Sequence, residues 1–272
     1  MKYGGIELGG TKIVYGIGDE SGLLERYSIP TTNPETALTK IQEYFREKKI
    51  EKLGIATFGP VDLSTGTITT TPKPGWSGVN LKNRFGEWDI AIDTDVNGAC
   101  LGEVAYGAGR GKRSVVYGTI GTGIGFGVYK DGKLLVAEGG HQLIQRHPED
   151  HFHSVCSYHF NCMEGLASGP AMEKRWGKPG AELENSQAWE LEAWYIAQGL
   201  TNICMMYFPE VIILGGGVMH HEGLIEMVRE EVEKNINGYI AVPEIVLPEL
   251  GDNAGVIGAI ELGRRYQRIV EM

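Results

Sequence analysis

Between Glu138 and Glu164 the chain gathers the residue types that hold a soft or borderline metal: His141, Cys156, His159 and Cys162. Two thiolates and two imidazoles can close a tetrahedral zinc site, and four protein ligands leave no open position, so the chemistry expected of such an ion is structural. A carboxylate stands at each end of the stretch. The expected arrangement is a metal-braced loop that turns Glu138 and Glu164 toward a substrate. His147, His151 and His153 are also close to Cys156 in sequence, and zinc spacing rules let any one of them replace His141.

Three glycine-rich turns have the composition of phosphate cradles. In Glu7-Leu8-Gly9-Gly10-Thr11-Lys12, the residues Gly9, Gly10 and Thr11 offer backbone N–H groups and a hydroxyl, and Lys12 offers positive charge. The same six residues also suit an ordinary tight turn between strands. Gly121, Thr122, Gly123 and Gly125 form a second candidate cradle. Gly215, Gly216 and Gly217 follow a buried-type strand and precede a helical pattern, which suits a nucleotide lying across backbone at a helix N-terminus. The candidate general base is Asp95, in Asp93-Thr94-Asp95-Val96-Asn97. Carboxylates at the carboxyl end of a strand, ahead of a helix, occupy the usual place for ligand chemistry in α/β folds. The competing role there is capping the helix from about Gly98 to Tyr106, for which Asn97 is the better placed.

These residues need rigid elements behind them. Strand patterns cover Tyr3–Leu8, Thr11–Gly16 and Leu23–Ile29, and Asn33-Pro34 starts a helix that ends near Lys49. Leu53–Thr57 reads as a buried strand, Gly66–Trp76 as a strand running into a stiff loop that could wall a pocket, and Asp89–Asp93 as another strand. Gly107–Lys112 reads as a hinge, after which strand, glycine turn and strand recur at Ser114–Thr119, Ile124–Lys130 and Lys133–Val136. Helices are expected over Gly165–Trp176, Gln187–Tyr207 and Gly223–Asn235, then an edge strand at Pro243–Leu247 and a terminal helix opened by Asp252-Asn253.

Composition excludes several classes. With 25 basic against 35 acidic residues the net charge is −10, which disfavours nucleic acid as a partner. No apolar run approaches the roughly 20 residues of a membrane-spanning helix, so no membrane partner is expected. Met1–Gly5 leads directly into a strand pattern rather than a signal sequence, and the chain is expected in the cytoplasm. Cys100 and Cys204 fall in apolar helical patterns and read as core residues, so no disulfide framework is implied.

In this order the motifs resemble the ROK family of sugar kinases and sugar-responsive repressors, within the actin-like ATPase superfamily, and most closely its fructokinase branch. The family's Asp-x-Gly-Gly-Thr-Lys is carried as Glu7 to Lys12, its Gly-Thr-Gly-Ile-Gly as Gly121 to Gly125, and its Glu-x-x-His as Glu138 and His141. Its Asn-Asp pair falls on Thr94-Asp95, with threonine in place of an amide that contacts sugar. Cys156-x-x-His159-x-x-Cys162 resembles the fructokinase branch's Cys-Pro-Tyr-His-Gly-x-Cys, with Ser157 and Phe160 departing from it, and Glu164 matches the glutamate two residues beyond the last cysteine. Thr71–Trp76 and Gly165–Pro170 also resemble that branch, and Gly215–Gly217 and Gly251–Gly255 correspond to adenosine-contacting regions.

The resemblance implies an α/β fold of two actin-like, ribonuclease H-like lobes, each a mixed sheet flanked by helices, with the active site in the interlobe cleft. The lobes would be 1–109, with a C-terminal helix at about 254–272 packing back on it, and 110–253, which carries the zinc loop. The implied activity is an ATP-dependent hexose kinase, a fructokinase first, that moves the γ-phosphate to the sugar 6-hydroxyl. Asp95 would take the hydroxyl proton, while Thr94, Asp95, Glu138, His141 and Glu164 hold the sugar. Glu7, Gly9, Gly10, Thr11, Lys12, Gly121, Thr122, Gly123, Gly215, Gly216 and Gly217 would hold the nucleotide, with Glu7 and Asp95 as outer-shell carboxylates of its Mg2+. His141 would give one nitrogen to a structural Zn2+ and the other to the sugar. Glucose, mannose and N-acetylmannosamine are alternative substrates. A sugar-sensing repressor would need a helix-turn-helix ahead of the first hairpin, which here begins at Tyr3, and a non-catalytic relative would not need Asp95 and both hairpins. Family likeness implies a homodimer.

Overall fold

Both glycine hairpins open a five-stranded sheet. The computed structural model describes residues 1–71 and 73–270, with side chains as far as residue 265. One unit is made of Met1–Arg110 together with the chain from Leu250 onward, and a second of Gly111–Glu249.

The first unit runs β1 (Tyr3–Leu8), β2 (Lys12–Asp19), β3 (Gly22–Pro30), α1 (Pro34–Lys48), β4 (Lys52–Thr57), β5 (Val61–Asp62), β6 (Thr67–Ile68), α2 (Leu81–Arg84), β7 (Asp89–Thr94) and α3 (Asp95–Tyr106). Its sheet has the order β3-β2-β1-β4-β7, antiparallel from β3 to β1 and parallel from β1 to β7. The parallel centre is buried on both faces, and Ile6, Leu8, Leu53 and Ile55 are inaccessible to solvent, as an apolar run in a covered parallel sheet requires. Helix α1 forms because Asn33 Oδ1 accepts the N–H groups of Glu35 (2.9 Å) and Thr36 (3.4 Å) and Pro34 pre-sets the first turn. It lays Ala37, Leu38, Ile41 and Phe45 on the sheet. The register aligns Leu8 with Thr57 and Thr57 with Thr94, so three parallel strands end level where Asp95 begins.

The second unit repeats the plan. It runs β8 (Ser114–Ile120), β9 (Ile124–Lys130), β10 (Lys133–Leu135), α4 (Met163–Ala167), α5 (Gly169–Trp176), α6 (Ser186–Tyr207), β11 (Val211–Gly215), α7 (Leu224–Ile236) and β12 (Glu244–Val246). Its strand order, β10-β9-β8-β11-β12, matches the first sheet in both sequence of strands and pattern of directions. Helices α6 and α7 bury Trp189, Tyr195, Leu200, Val228 and Val232 in one core with Ile212 and Leu214. The chain then returns to the first unit as α8 (Ala254–Val270), which packs on α3, β1 and β4.

Four expectations need correction. The helix expected over Gly165–Trp176 is two, because Ser168 is extended (ψ 160°) and its hydroxyl caps the second at Ala171 N (3.4 Å). Helix α3 starts at Asp95 rather than Gly98, and Thr94 caps it (Oγ1 to Asn97 N, 3.2 Å), while Asn97 donates its amide to Asp93 Oδ1 (2.7 Å). Within Gly66–Trp76 only Thr67–Ile68 is strand, paired with Val61–Asp62. Trp76 is buried, with Nε1 donating to Thr32 O (2.9 Å) and its ring edge-on to Phe58, so it anchors that loop, and residues 73–76 line a cavity with Thr31, Thr32 and Asn33. Finally, the glycine run after β11 leads into a single 3-10 turn, Gly217–His220, before α7. Pro72 of the Thr71–Trp76 motif and the last two residues of the helix expected to 272 lie outside the described residues.

One core carboxyl stands apart from the site. Glu192, on α6, is 1 % exposed and neither oxygen has a hydrogen-bond partner among the described residues. Burial pushes its pKa well above the usual carboxylate range, against the pull of the Arg175 guanidinium. A carboxyl whose pKa rises on folding holds its proton more tightly in the native state, so stability falls as pH climbs from the ordinary carboxylate range toward the raised value. Glu192→Met is therefore expected to stabilise the fold by about 1–3 kcal/mol. The gain should be larger at pH 8 than at pH 5 in paired thermal melts, and equal gains at both would remove the ionisation account.

Candidate active site

In the first unit, the level strand ends place Glu7, the turn Gly9–Lys12, Thr94 and Asp95 on one edge of the sheet. The Gly9 N–H bonds Lys12 O (3.1 Å) and Thr31 Oγ1 bonds Gly9 O (2.7 Å), which hold the hairpin turn in shape while Gly10 and Thr11 stay exposed. Lys12 Nζ pairs with Asp252 Oδ2 at 3.0 Å, but both are well exposed, so the pair is weak and screened. Sequence reasoning missed Lys73, whose ammonium donates to Gly10 O and lies 5.7 Å from the centre of the Phe58 ring. No periodicity marks a lysine between two prolines as a neighbour of a turn sixty residues earlier.

Asp95 is the first residue of α3, and its Oδ1 accepts the Val96 N–H (2.9 Å). A helix N-terminus favours the anion, which suits a base that must be ionised before it can act. Thr94 Oγ1 accepts the Asn97 N–H as the cap of α3, which leaves the hydroxyl proton outside that bond. Glu7 lies below. A Cβ on Gly255 would fall 2.3 Å from Glu7 Cδ, so the glycine lets the start of α8 pack directly over this carboxyl. Burial first, and then the charge of Asp95, push the Glu7 pKa up to about 7. Its Oε2 is buried with no hydrogen-bond partner among the described residues, and an orphaned carboxylate oxygen beside a second carboxylate fits the hydration shell of a divalent cation.

In the second unit the four metal-type side chains come together. One ligand atom from each of His141, Cys156, His159 and Cys162 lies within 4.8 Å of all the others. Cys156 Sγ is 3.8 Å from His141 Nδ1 and 3.6 Å from His159 Nδ1, and Cys162 Sγ is 3.8 Å from His141 Nδ1. Zinc–sulfur and zinc–nitrogen bonds at a tetrahedral angle give edges of about 3.6 Å, so the donor set fits that ion. His147 instead accepts the Glu149 N–H and packs edge-on to Trp194, and His153 packs against Phe160. The thiol of Cys162 is buried, which holds it up at about 11, although the Gly165 N–H at the start of α4 (3.4 Å) pulls it down. A bound cation would favour the thiolate.

The same loop carries two carboxylates. His141 Nε2 faces away from the thiols and lies 3.8 Å from Glu164 Oε1, and Glu164 Oε2 accepts the Ile124 N–H (3.0 Å). Glu164 thus ties the braced loop to the hairpin Gly121–Gly125, whose own turn is closed by Gly121 N to Gly123 O (2.9 Å) and Gly169 N to Gly121 O (2.7 Å). Glu138 stands exposed at the head of the 3-10 turn Gly139–His141. At the end of β11, Gly216 has φ 94° and a Cβ there would meet Ile120 O at 2.3 Å, which brings the Gly215–Gly217 backbone against the end of β8. Gly121 and Thr122 share a cavity of about 550 Å3 with Gly217 and Val218.

Comparison with known proteins bears on this geometry. The model of the ROK family matches residues 3–265. The chain is 42% identical over 287 residues to a fructokinase of Zymomonas mobilis, covering 96% of this chain and 95% of that one. It is 40% identical over 283 residues to a fructokinase of Pediococcus pentosaceus, covering 97% and 98%. A ROK hexokinase from Thermus thermophilus, with the whole of both chains covered, superposes with a TM-score of 0.84 at 28% identity.

Proposed function

Because the chain belongs to the ROK family, we propose that it is an ATP-dependent hexose kinase that uses fructose first and transfers the γ-phosphate to the 6-hydroxyl. The observation that carries this reading is the pairing of an ionisable helix-start aspartate with two glycine hairpins on strand ends, in a chain with fructokinase relatives at 40–42% identity.

Phosphoryl transfer asks a protein for an aligned acceptor, a place for the hydroxyl proton and neutralised phosphate charge. Asp95 accepts the proton of the 6-hydroxyl as its oxygen attacks the γ-phosphorus, and the bond from that phosphorus to the β–γ bridging oxygen breaks, releasing ADP. Thr94, Glu138, His141 and Glu164 hold the remaining hydroxyls, carboxylates accepting and hydroxyl or imidazole N–H donating. The N–H groups of Gly9, Gly10, Thr11 and Gly121–Gly123 receive phosphate oxygens, Lys12 and Lys73 add positive charge, and Gly215–Gly217 carry the adenosine. Glu7 and Asp95 would stand as outer-shell carboxylates of a bound Mg2+, which would supply positive charge against the phosphates. His141, Cys156, His159 and Cys162 would hold Zn2+, which would supply a structural brace for the loop, and His141 keeps Nε2 for the sugar.

Our reading places this kinase in the cytoplasm as a homodimer, the latter on family likeness alone, and sedimentation velocity reads the oligomeric state directly. Among the described residues no helix is long and apolar enough to cross a membrane. The functional test is a coupled assay of ADP release across fructose, glucose, mannose and N-acetylmannosamine. Mg-ATP with fructose is expected to give the highest kcat/KM, and absence of sugar-dependent ADP release across the panel would refute the reading.

A further inference from the structure

The cavity beside the second hairpin holds a ring pair that the sequence motifs do not announce. Its lining includes Gly121, Gly217, Leu183, Trp189, Val218 and His221. Trp189 is buried, and its Nε1 donates to Leu183 O at 3.0 Å, so the indole plane is fixed from below. The His221 imidazole lies parallel to that indole, with centroids 3.7 Å apart and an interplanar angle of 4°. One face of the imidazole is therefore covered by a buried ring, and the half-exposed His221 lines the cavity. Burial holds the His221 pKa below the usual imidazole range, which keeps the ring neutral near pH 7.

Resting on the kinase reading, we propose that His221, backed by Trp189, is the platform on which the nucleotide base stacks, and that the site accepts purine nucleoside triphosphates as a class. The cavity joins this platform to Gly121 and Thr122, of the backbone that receives phosphates in the proposed reaction, and to Gly217, of the run that carries the adenosine. Base identity has few readers here. Among the described lining residues the side chains that can hydrogen-bond are Thr122, Trp189, His220, His221 and Glu222; the Trp189 N–H is spent on Leu183 O, and Thr122, His220 and Glu222 are exposed. Stacking rewards any base with a π-face, and more so the larger purine, whereas strong discrimination between purines needs buried polar groups that one base satisfies and another leaves unpaired. Met172, Leu183 and Val218 supply apolar wall without such groups.

Calorimetric titration of the full chain with ADP, GDP and CDP tests this without turnover. ADP and GDP are expected to bind within about tenfold of each other, with CDP weaker, and His221→Ala should weaken ADP by about tenfold, the size of one lost base–ring contact. His221→Phe, which keeps a flat ring, should restore ADP binding to within about threefold of the parent. The KM for fructose should stay unchanged in both variants. ADP binding unaltered by His221→Ala, an equal loss in His221→Phe, or a preference of ADP over GDP above about a hundredfold would each overturn the platform. If the parent phosphorylates no hexose but shows this ADP pattern, the platform stands and the kinase reading falls. If hexose is phosphorylated and His221→Ala binds ADP normally, the platform alone falls.

Discussion

Asp95→Asn is expected to lower kcat by about a thousandfold or more while the KM for fructose changes by no more than about threefold. The substitution is nearly isosteric, and an asparagine Oδ1 can still accept the Val96 N–H that now fixes the carboxylate at 2.9 Å. Thr94 continues to cap α3, so the helix start should not move. What disappears is a proton acceptor at a helix N-terminus, where ionisation is favoured. Because that proton moves only as the new bond forms, the loss belongs in kcat and not in sugar binding. Steady-state kinetics with saturating Mg-ATP separate the two. Near-normal turnover would remove Asp95 as the base, and loss confined to KM would make it a sugar ligand.

Cys162→Ser is expected to empty the metal site and weaken the fold. The thiol is fully buried, touches His141 Nδ1 at 3.8 Å and receives the first free N–H of α4, so it joins the metal group to the helix that carries Glu164. Zinc content should fall from about one ion per chain to near none, since a structural site with three ligands binds far more weakly. The thermal midpoint should fall by at least several degrees, because metal binding in such loops is coupled to folding. Fructose KM should rise with it, as His141 and Glu164 lose their orientation. Cys204→Ser, a buried free thiol on α6 outside the cluster, is the control and should retain zinc. Chelator-insensitive melting of the parent would argue against the brace.

The parts of the site that were legible in the sequence are those written in local pattern. Glu7–Lys12 and Gly121–Gly125 lie between alternating apolar runs, and the glycines mark where the backbone must turn, so both hairpins could be placed without knowing the fold. The metal-type cluster was legible because Cys156, His159 and Cys162 share one loop, and the fold brings His141 to them from fifteen residues earlier. The register that levels Leu8, Thr57 and Thr94 is not local, and no spacing announces it. The helix start was misplaced because Thr94 and Asn97 are both good caps, and the choice turns on Asn97 being drawn to Asp93. Lys12 meets Asp252 and Lys73 meets Gly10 across long loops of chain, and Trp189 meets His221 across a strand. Pairings of that kind are products of packing, and a single chain read in order carries no signal of them.

In the proposed reaction Asp95 directs a γ-phosphate to the 6-hydroxyl of fructose. Phosphorus–proton correlation NMR of the product formed from fructose and Mg-ATP reads this directly. The account predicts phosphate on the 6-oxygen, formed by the parent and lost with Asp95→Asn. Phosphate on another oxygen, or ADP released with no sugar phosphate, would contradict it.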